Sequence, residues 1–190
     1  MGNHPIAAGK SSFDLVDVSL VFQETGLTNC RAFLDLACGA GRYTLAAASR
    51  LPRTSTIYAV DLWEEGIEQL RQAIASQGIT NVVPILADVA GELPIPDGSI
   101  DLILMATVLH DLAVEQTDRP ALKQASRVLG PGGRLAVIEF KKIDHGPGPP
   151  IAIRLDPQEV ADKVGEFGFE PLKTMDVGTY TYLSIFSSKR

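Results

Sequence analysis

Residues Phe33-Leu34-Asp35-Leu36-Ala37-Cys38-Gly39-Ala40-Gly41 constrain this chain more than any other stretch. A short apolar run carrying one carboxylate breaks at Gly-x-Gly and gives way to a helical pattern from Arg42 to Arg50. That succession is the first strand, turn and helix of a doubly wound α/β sheet, where ligands sit beyond the carboxyl ends of the strands. The two glycines let backbone N–H groups approach a ligand, and the new helix adds its positive N-terminal end. The arrangement suits a nucleotide.

Which nucleotide is a question of fit and of sign. A dinucleotide fingerprint needs a third Gly or Ala three residues after the second Gly, and that position is Thr44. Asp35, near the end of the first strand, is expected to face the place where a diphosphate would lie, repelling an anion and attracting a cation. S-adenosyl-L-methionine (SAM) brings a sulfonium and an ammonium group against one carboxylate. Asp35, Gly39 and Gly41 together therefore favour SAM over NAD.

Further acids follow at successive strand ends. Thr56-Ile57-Tyr58-Ala59-Val60-Asp61 reads as a second strand, and Asp61 lies about twenty residues past the glycine turn, where an acid accepts from both ribose hydroxyls. Its bland alternative is a cap on the helix from Glu64 to Gln77. Leu62 and Trp63 follow, the first placed to lie against an adenine face and the second at that face or on the pocket rim. Val82-Val83-Pro84-Ile85-Leu86-Ala87-Asp88 reads as a third strand, with Pro84 indicating an edge position; Asp88 ends it, or is a surface turn residue. After the turn-rich Glu92 to Ser99, Ile100-Asp101-Leu102-Ile103-Leu104-Met105-Ala106 is apolar enough for a central strand buried on both faces.

Three strings carry a resemblance. Leu34-Asp35-Leu36-Ala37-Cys38-Gly39-Ala40-Gly41 resembles the first motif of the class I SAM-dependent methyltransferases, with Ala37 in place of its first Gly and Ala40 in place of its small hydroxyl residue. Leu93 to His110 resembles the family's fourth-motif region, and Arg127-Val128-Leu129-Gly130-Pro131-Gly132-Gly133 its R-V-L-[KR]-P-G-G turn, with Gly130 replacing the basic residue. The likeness runs over roughly residues 30 to 190. It implies an α/β, Rossmann-like, doubly wound seven-stranded sheet, parallel except for an antiparallel C-terminal hairpin strand. It also implies SAM as cofactor. Ala37, Cys38, Gly39 and Gly41 would form the loop around it, Asp88 would accept from the adenine amine, and the N–H of Val89 would reach a ring nitrogen. Ala106, Thr107 and His110 would face the transferable methyl group.

His110-Asp111 is the pair of greatest chemical interest in the chain. Histidine takes a proton near neutral pH, and a neighbouring carboxylate raises its basicity. His110 is expected to position or deprotonate the acceptor with Asp111 orienting it; the alternative is a packed helix-entry residue beside a cap. Methyl transfer is an in-line displacement, and alignment of the reactants supplies roughly 7 to 11 kcal/mol of its barrier. No metal is required.

The flanks complete the reading. Met1 to Lys10 reads as a flexible tail, and Ser11 or Ser12 is expected to cap a helix running to Glu24 and stopping at Gly26, with residues 11–30 forming a lid or merely covering the sheet. Lys141 to Leu155 reads as a loop that either borders the acceptor pocket or only links elements. Asp156-Pro157-Gln158-Glu159 has the pattern of a capped helix start. Phe169 to Val177 and Tyr180 to Ser187 are too close in sequence for a parallel crossover and must pair antiparallel. A dinucleotide-binding sheet would stay parallel there.

At 190 residues the chain is expected to be a single domain, with 31–190 as its catalytic core. A net charge of -6 without a basic block argues against nucleic acid, and no apolar run reaches membrane-spanning length. The N-terminus lacks the apolar core of a secretion signal. With Cys30 and Cys38 as its two cysteines, the expected compartment is the cytoplasm. The overall pattern is similar to the small methyltransferases grouped with ubiquinone and menaquinone biosynthesis. Arsenite methyltransferases share the motifs but hold the metalloid with several thiolates, which two cysteines do not supply. The sequence thus implies a small-molecule acceptor and a monomer or homodimer. A silent SAM-binding module, an NAD-dependent oxidoreductase and a ligand-free α/β domain remain as alternatives.

Overall fold

The computed structural model describes residues 8–189, so most of the expected tail lies outside the described residues. A seven-stranded sheet of order β3-β2-β1-β4-β5-β7-β6 organises them. Its strands are β1 (Ala32–Leu36), β2 (Thr56–Asp61), β3 (Val82–Leu86), β4 (Ile100–Ala106), β5 (Leu129–Phe140), β6 (Phe169–Asp176) and β7 (Thr181–Ser188). The pairs from β3 through β5 are parallel, whereas β7 runs antiparallel to both β5 and β6. The short connection between β6 and β7 permits nothing else, as expected from the sequence. Pro84 sits on the edge strand β3, where a missing N–H costs no ladder bond.

Helices α1 (Val18–Thr25), α2 (Arg42–Ala48), α3 (Glu64–Ser76), α4 (Leu109–Val114), α5 (Asp118–Val128) and α6 (Pro157–Gly165) cover the sheet. Alternation along the central strands divides the core. Leu34, Ile103, Met105, Leu135 and Val137 pack with α4, α5 and α6, whereas Phe33, Leu102, Leu104, Ala136 and Ile138 pack with α1 and α2. Burying each such side chain contributes about 1.5–3 kcal/mol. Asp101 fastens the start of β1, its Oδ2 accepting from the N–H groups of Arg31 at 2.7 Å and Ala32 at 3.0 Å.

Two local expectations are corrected. The N-terminal helix is not one piece capped by Ser11 or Ser12. Phe13–Leu15 form a single 3-10 turn, Val16 is extended, and α1 starts after Asp17, whose Oδ1 accepts from Leu20 N. The break follows from tertiary pairing, because Asp17 N–H donates to Val177 O at 2.6 Å. Gly26, at φ 71°, closes α1 as expected. The Gly130-Pro131-Gly132-Gly133 stretch is a bulge within β5 rather than a turn ahead of it, since Ile100 pairs with Leu129 and Leu102 already with Arg134. Gly98 O would lie 2.8 Å from any Cβ at position 130, which accounts for glycine where the family carries a basic residue.

The capped start of α6 is as the sequence indicates. Asp156 accepts from the N–H groups of Gln158 and Glu159, and Glu159 Oε2 in turn accepts from Asp156 N–H.

Candidate active site

A cavity of about 670 Å³ opens at the carboxyl ends of the parallel strands. Its lining brings together Ala37, Cys38, Gly39, Asp61, Leu62, Asp88, Val89, Ala106, Thr107, His110 and Asp111, all named from the sequence. Trp63 joins them, as do Pro147 to Pro150 and Ile153 of the loop after β5, which therefore borders the pocket. Ala8, Gly9 and Lys10, the described end of the expected tail, also line it. Ser12 and Leu15 place the N-terminal segment over the same space.

Two residues named from the sequence, Asp35 and Gly41, do not line the cavity. Asp35 points inward, 1% exposed, and its Oδ2 accepts from Thr44 Oγ1 at 2.6 Å. Burial pushes its carboxyl up to about 7 against the hydrogen bond from Thr44, and the nearby Asp61 charge adds to the rise. Thr44 thus replaces the small residue of a dinucleotide fingerprint because it partners Asp35. Gly41 serves packing: at φ 78°, a Cβ there would lie 2.5 Å from the Leu70 side chain of α3.

The glycine loop also differs from its expected role as a set of free N–H donors. Cys38 N–H donates to Val60 O at 3.0 Å, Gly39 N–H to Asp61 Oδ2 at 2.6 Å, and Gly41 N–H to Cys38 O at 2.9 Å. Asp61 Oδ1 accepts from Trp63 N–H at 2.8 Å, and α3 begins without a side-chain cap, so Asp61 braces the loop rather than capping the helix. Asp88 Oδ1 accepts from Ala90 N–H at 2.8 Å. Each carboxylate oxygen has two lone pairs, so Asp61 and Asp88 keep acceptor capacity toward the cavity. Around Gly39 a Cβ would meet nothing within 4 Å, leaving open space beside the loop. Ala37 holds φ 64°, the left-handed conformation that explains a Gly there in the family motif. With the N–H groups of Cys38, Gly39 and Gly41 engaged and two strand-end carboxylates in the lining, the assembly fits a cationic nucleoside better than a diphosphate.

His110 is 3% exposed and held from both ends. Its N–H donates to Glu139 Oε1 at 3.1 Å, and its Nδ1 lies 2.7 Å from Glu139 Oε2. Nε2 is 3.5 Å from Asp111 Oδ1. Burial works against the imidazolium, but the hydrogen bond and charge of Glu139, with the charge of Asp111, outweigh it and leave the His110 pKa raised. Glu139 was not singled out from the sequence. The available signal was one acid inside the otherwise apolar Leu135 to Phe140.

Other contributors are equally nonlocal. Thr107 Oγ1 donates to Ser12 Oγ, which lies 3.1 Å from Tyr43 OH. Arg154, 5% exposed, donates to the carbonyls of Lys141, Ile143, Pro147 and Pro149, so one guanidinium gathers the Pro/Gly loop into a strap. Among the described residues no cluster of His, Cys, Asp and Glu suits a metal ion, and no helix is long and apolar enough to cross a membrane.

The family model of a methyltransferase domain matches residues 34–137. The chain belongs to this family. It is a class I SAM-dependent methyltransferase in sequence and fold, and SAM is the family's cofactor. The "Ubiquinone/menaquinone biosynthesis C-methyltransferase UbiE" of Ectopseudomonas mendocina is 32% identical over 155 residues, covering 80% of this chain and 56% of that protein. Its counterpart in Hydrogenovibrio crunogenus is 34% identical over 119 residues, covering 63% of this chain and 46% of that one. The chain thus spans about half the length of these relatives. A crystal structure of a SAM-dependent methyltransferase from Aquifex aeolicus superposes with a TM-score of 0.84 at 27% identity, covering 93% of this methyltransferase and 92% of that chain. The [4+2]-cyclase SpnF shares the fold alone, with a TM-score of 0.76 at 19% identity, covering 98% and 84% of the two chains.

Proposed function

We propose that this methyltransferase moves the sulfonium methyl of SAM to a small-molecule acceptor bound between the strand ends, the strap and the N-terminal segment. The observation that carries the reading is the sign of the cavity: the N–H groups of Cys38, Gly39 and Gly41 are engaged inside the protein, while Asp61 and Asp88 present carboxylates to the cavity. Bound SAM supplies an electrophilic methyl group on a positively charged sulfur. Asp61 accepts from its ribose hydroxyls, Asp88 and Val89 N–H take the adenine edge, and Leu62 lies against the adenine face. Ala37, Cys38 and Gly39 form the wall beside the amino-acid end. Ala106 and Thr107 border the transferred methyl.

The acceptor side belongs to His110, Asp111 and the apolar Leu15, Leu112, Phe140 and Ile153. Enclosure by the strap and the 8–17 segment excludes water and fixes the approach, which is most of what an in-line displacement needs. His110 positions or deprotonates the acceptor. The residues act as one domain in this reading, and the buried free thiols of Cys30 and Cys38 suit a reducing cytoplasm.

Calorimetry with S-adenosylhomocysteine (SAH), SAM and NAD tests the cofactor, with binding expected for the first two and none for NAD. Labelled methyl from SAM, supplied with a metabolite extract, tests transfer. Binding of NAD in place of SAH would overturn the cofactor assignment. SAH binding without any labelled product would leave the chain a SAM sensor.

A further inference from the structure

Glu139 lies at the carboxyl end of β5 with no exposure at all, a position where an acid is costly unless partnered. Its oxygens are divided between two atoms of one residue, Oε1 taking the backbone N–H of His110 and Oε2 facing Nδ1. A carboxylate only accepts, so Nδ1 carries the proton and Nε2 of the neutral ring is left as the basic nitrogen. Asp111 at 3.5 Å is too far to hold Nε2 by a good hydrogen bond, yet near enough to stabilise a proton arriving there. Phe140 packs edge-on against the imidazole, with ring centroids 6.3 Å apart, and limits its rotation.

We infer that Glu139 is a positioning residue that fixes His110 with Nδ1 protonated and Nε2 turned to the cavity, and that the acceptor is an apolar molecule bearing an ionisable hydroxyl of phenol or enol type. The inference rests on the proposed methyl transfer and names its acceptor class. The acceptor oxygen bonds to the methyl carbon as the carbon–sulfur bond breaks; sulfur keeps that electron pair and loses its charge. The hydroxyl proton passes to His110 Nε2, leaving an imidazolium between Glu139 and Asp111.

The groups facing the pair fit this assignment. Asp111 from α4 is the second anion, and Arg154, whose charge opposes protonation, is committed to the strap carbonyls. Tyr182 pairs with Glu139 across β5 and β7, but its hydroxyl donates to Leu155 O at 2.7 Å and leaves the carboxylate to the histidine. Leu112, Phe140 and Ile153 line the same cavity as His110, with Phe140 packed against its ring, and this apolar surface suits a ring bearing the hydroxyl.

With His4, His110 and His145 as its three histidines, the intact protein suits imidazole ¹⁵N NMR. The spectra are recorded with SAH present and repeated with catechol added. In the wild type, neutral His110 is expected to show a protonated Nδ1 and an unprotonated Nε2, with a midpoint above the ordinary histidine value of 6.5. Catechol is expected to shift Nε2 and not Nδ1. Glu139→Gln should lower the His110 midpoint so that proton affinity falls at least tenfold, with SAH affinity within about twofold of wild type. Neutral wild-type His110 protonated on Nε2, or a midpoint unmoved by the substitution, would overturn the positioning role. Catechol perturbing neither nitrogen would overturn the acceptor class. If Glu139→Gln does not fold, the wild-type tautomer and its response to catechol still decide both parts. Failure of SAH to bind the folded wild type would instead remove the underlying reading, while the tautomer would still report on Glu139.

Discussion

Thr107 Oγ1 donates to Ser12 Oγ at 3.0 Å, joining positions 95 residues apart at the mouth of the cavity. Thr107 makes this contact from φ 54°, a conformation costly for a β-branched residue. Ser12 passes the connection to Tyr43, whose hydroxyl burial pushes up to about 12 despite the Ser12 hydrogen bond, so it remains a hydroxyl at neutral pH. Asp14 adds an ion pair to Arg42, and Thr181 Oγ1 donates to Leu15 O.

Ser12→Ala leaves the Thr107 and Tyr43 hydroxyls without their shared partner, a loss of about 1–3 kcal/mol. Thermal unfolding should show the destabilisation, and limited proteolysis should cut the 8–17 segment faster, with SAH slowing the cleavage. Unchanged cleavage would mean that the hydroxyl chain does not hold the segment down.

Arg154→Lys should loosen the strap. One ammonium cannot reproduce the fan of bonds to the carbonyls of Lys141, Ile143, Pro147 and Pro149, and hydrogen bonds to charged groups contribute about 1.5–3 kcal/mol each. Hydrogen exchange should rise across residues 141–153 and stay unchanged in β1 and β2. Equal protection in both proteins would contradict the gathering role.

Asp35 predicts a pH dependence of stability. Its folded pKa of about 7 lies above the ordinary 3.8, so between those values the folded protein holds more protons than the unfolded chain. Stability therefore falls as pH rises through that window and does not recover above it, by about 4 kcal/mol at most. Asp35→Asn still accepts from Thr44 and removes the charge. Denaturant titrations at about pH 5 and about pH 8 should show a smaller decline in the variant. Parallel declines would rule the effect out.

Asp61→Asn should weaken SAH binding by at least about tenfold, the worth of about 1.4 kcal/mol. The amide has one acceptor oxygen for the two N–H groups, of Gly39 and Trp63, that the carboxylate serves. Calorimetry on the folded variant measures the loss. Wild-type affinity would show that the brace on the glycine loop is dispensable.

Local patterns determined a good part of this protein. Strand-turn-helix order, the edge position of Pro84, the capped start of α6 and the antiparallel end of the sheet all depend on residues a few positions apart, and the structure reproduces them. The strand-end residues Asp61, Asp88, Ala106 and Thr107 also reach the cavity, because the carboxyl ends of parallel strands share one edge. Side-chain direction at a strand end was decided by contacts distant in sequence. Asp35 turned inward because α2 places Thr44 beside it, and α1 was cut short because Asp17 pairs with Val177. Glu139 stood out only as one acid in the apolar run of β5, and its role could not be read there, because the imidazole that justifies the acid comes from a helix 29 residues earlier. A buried charge takes its meaning from its partner, and folding supplies the partner.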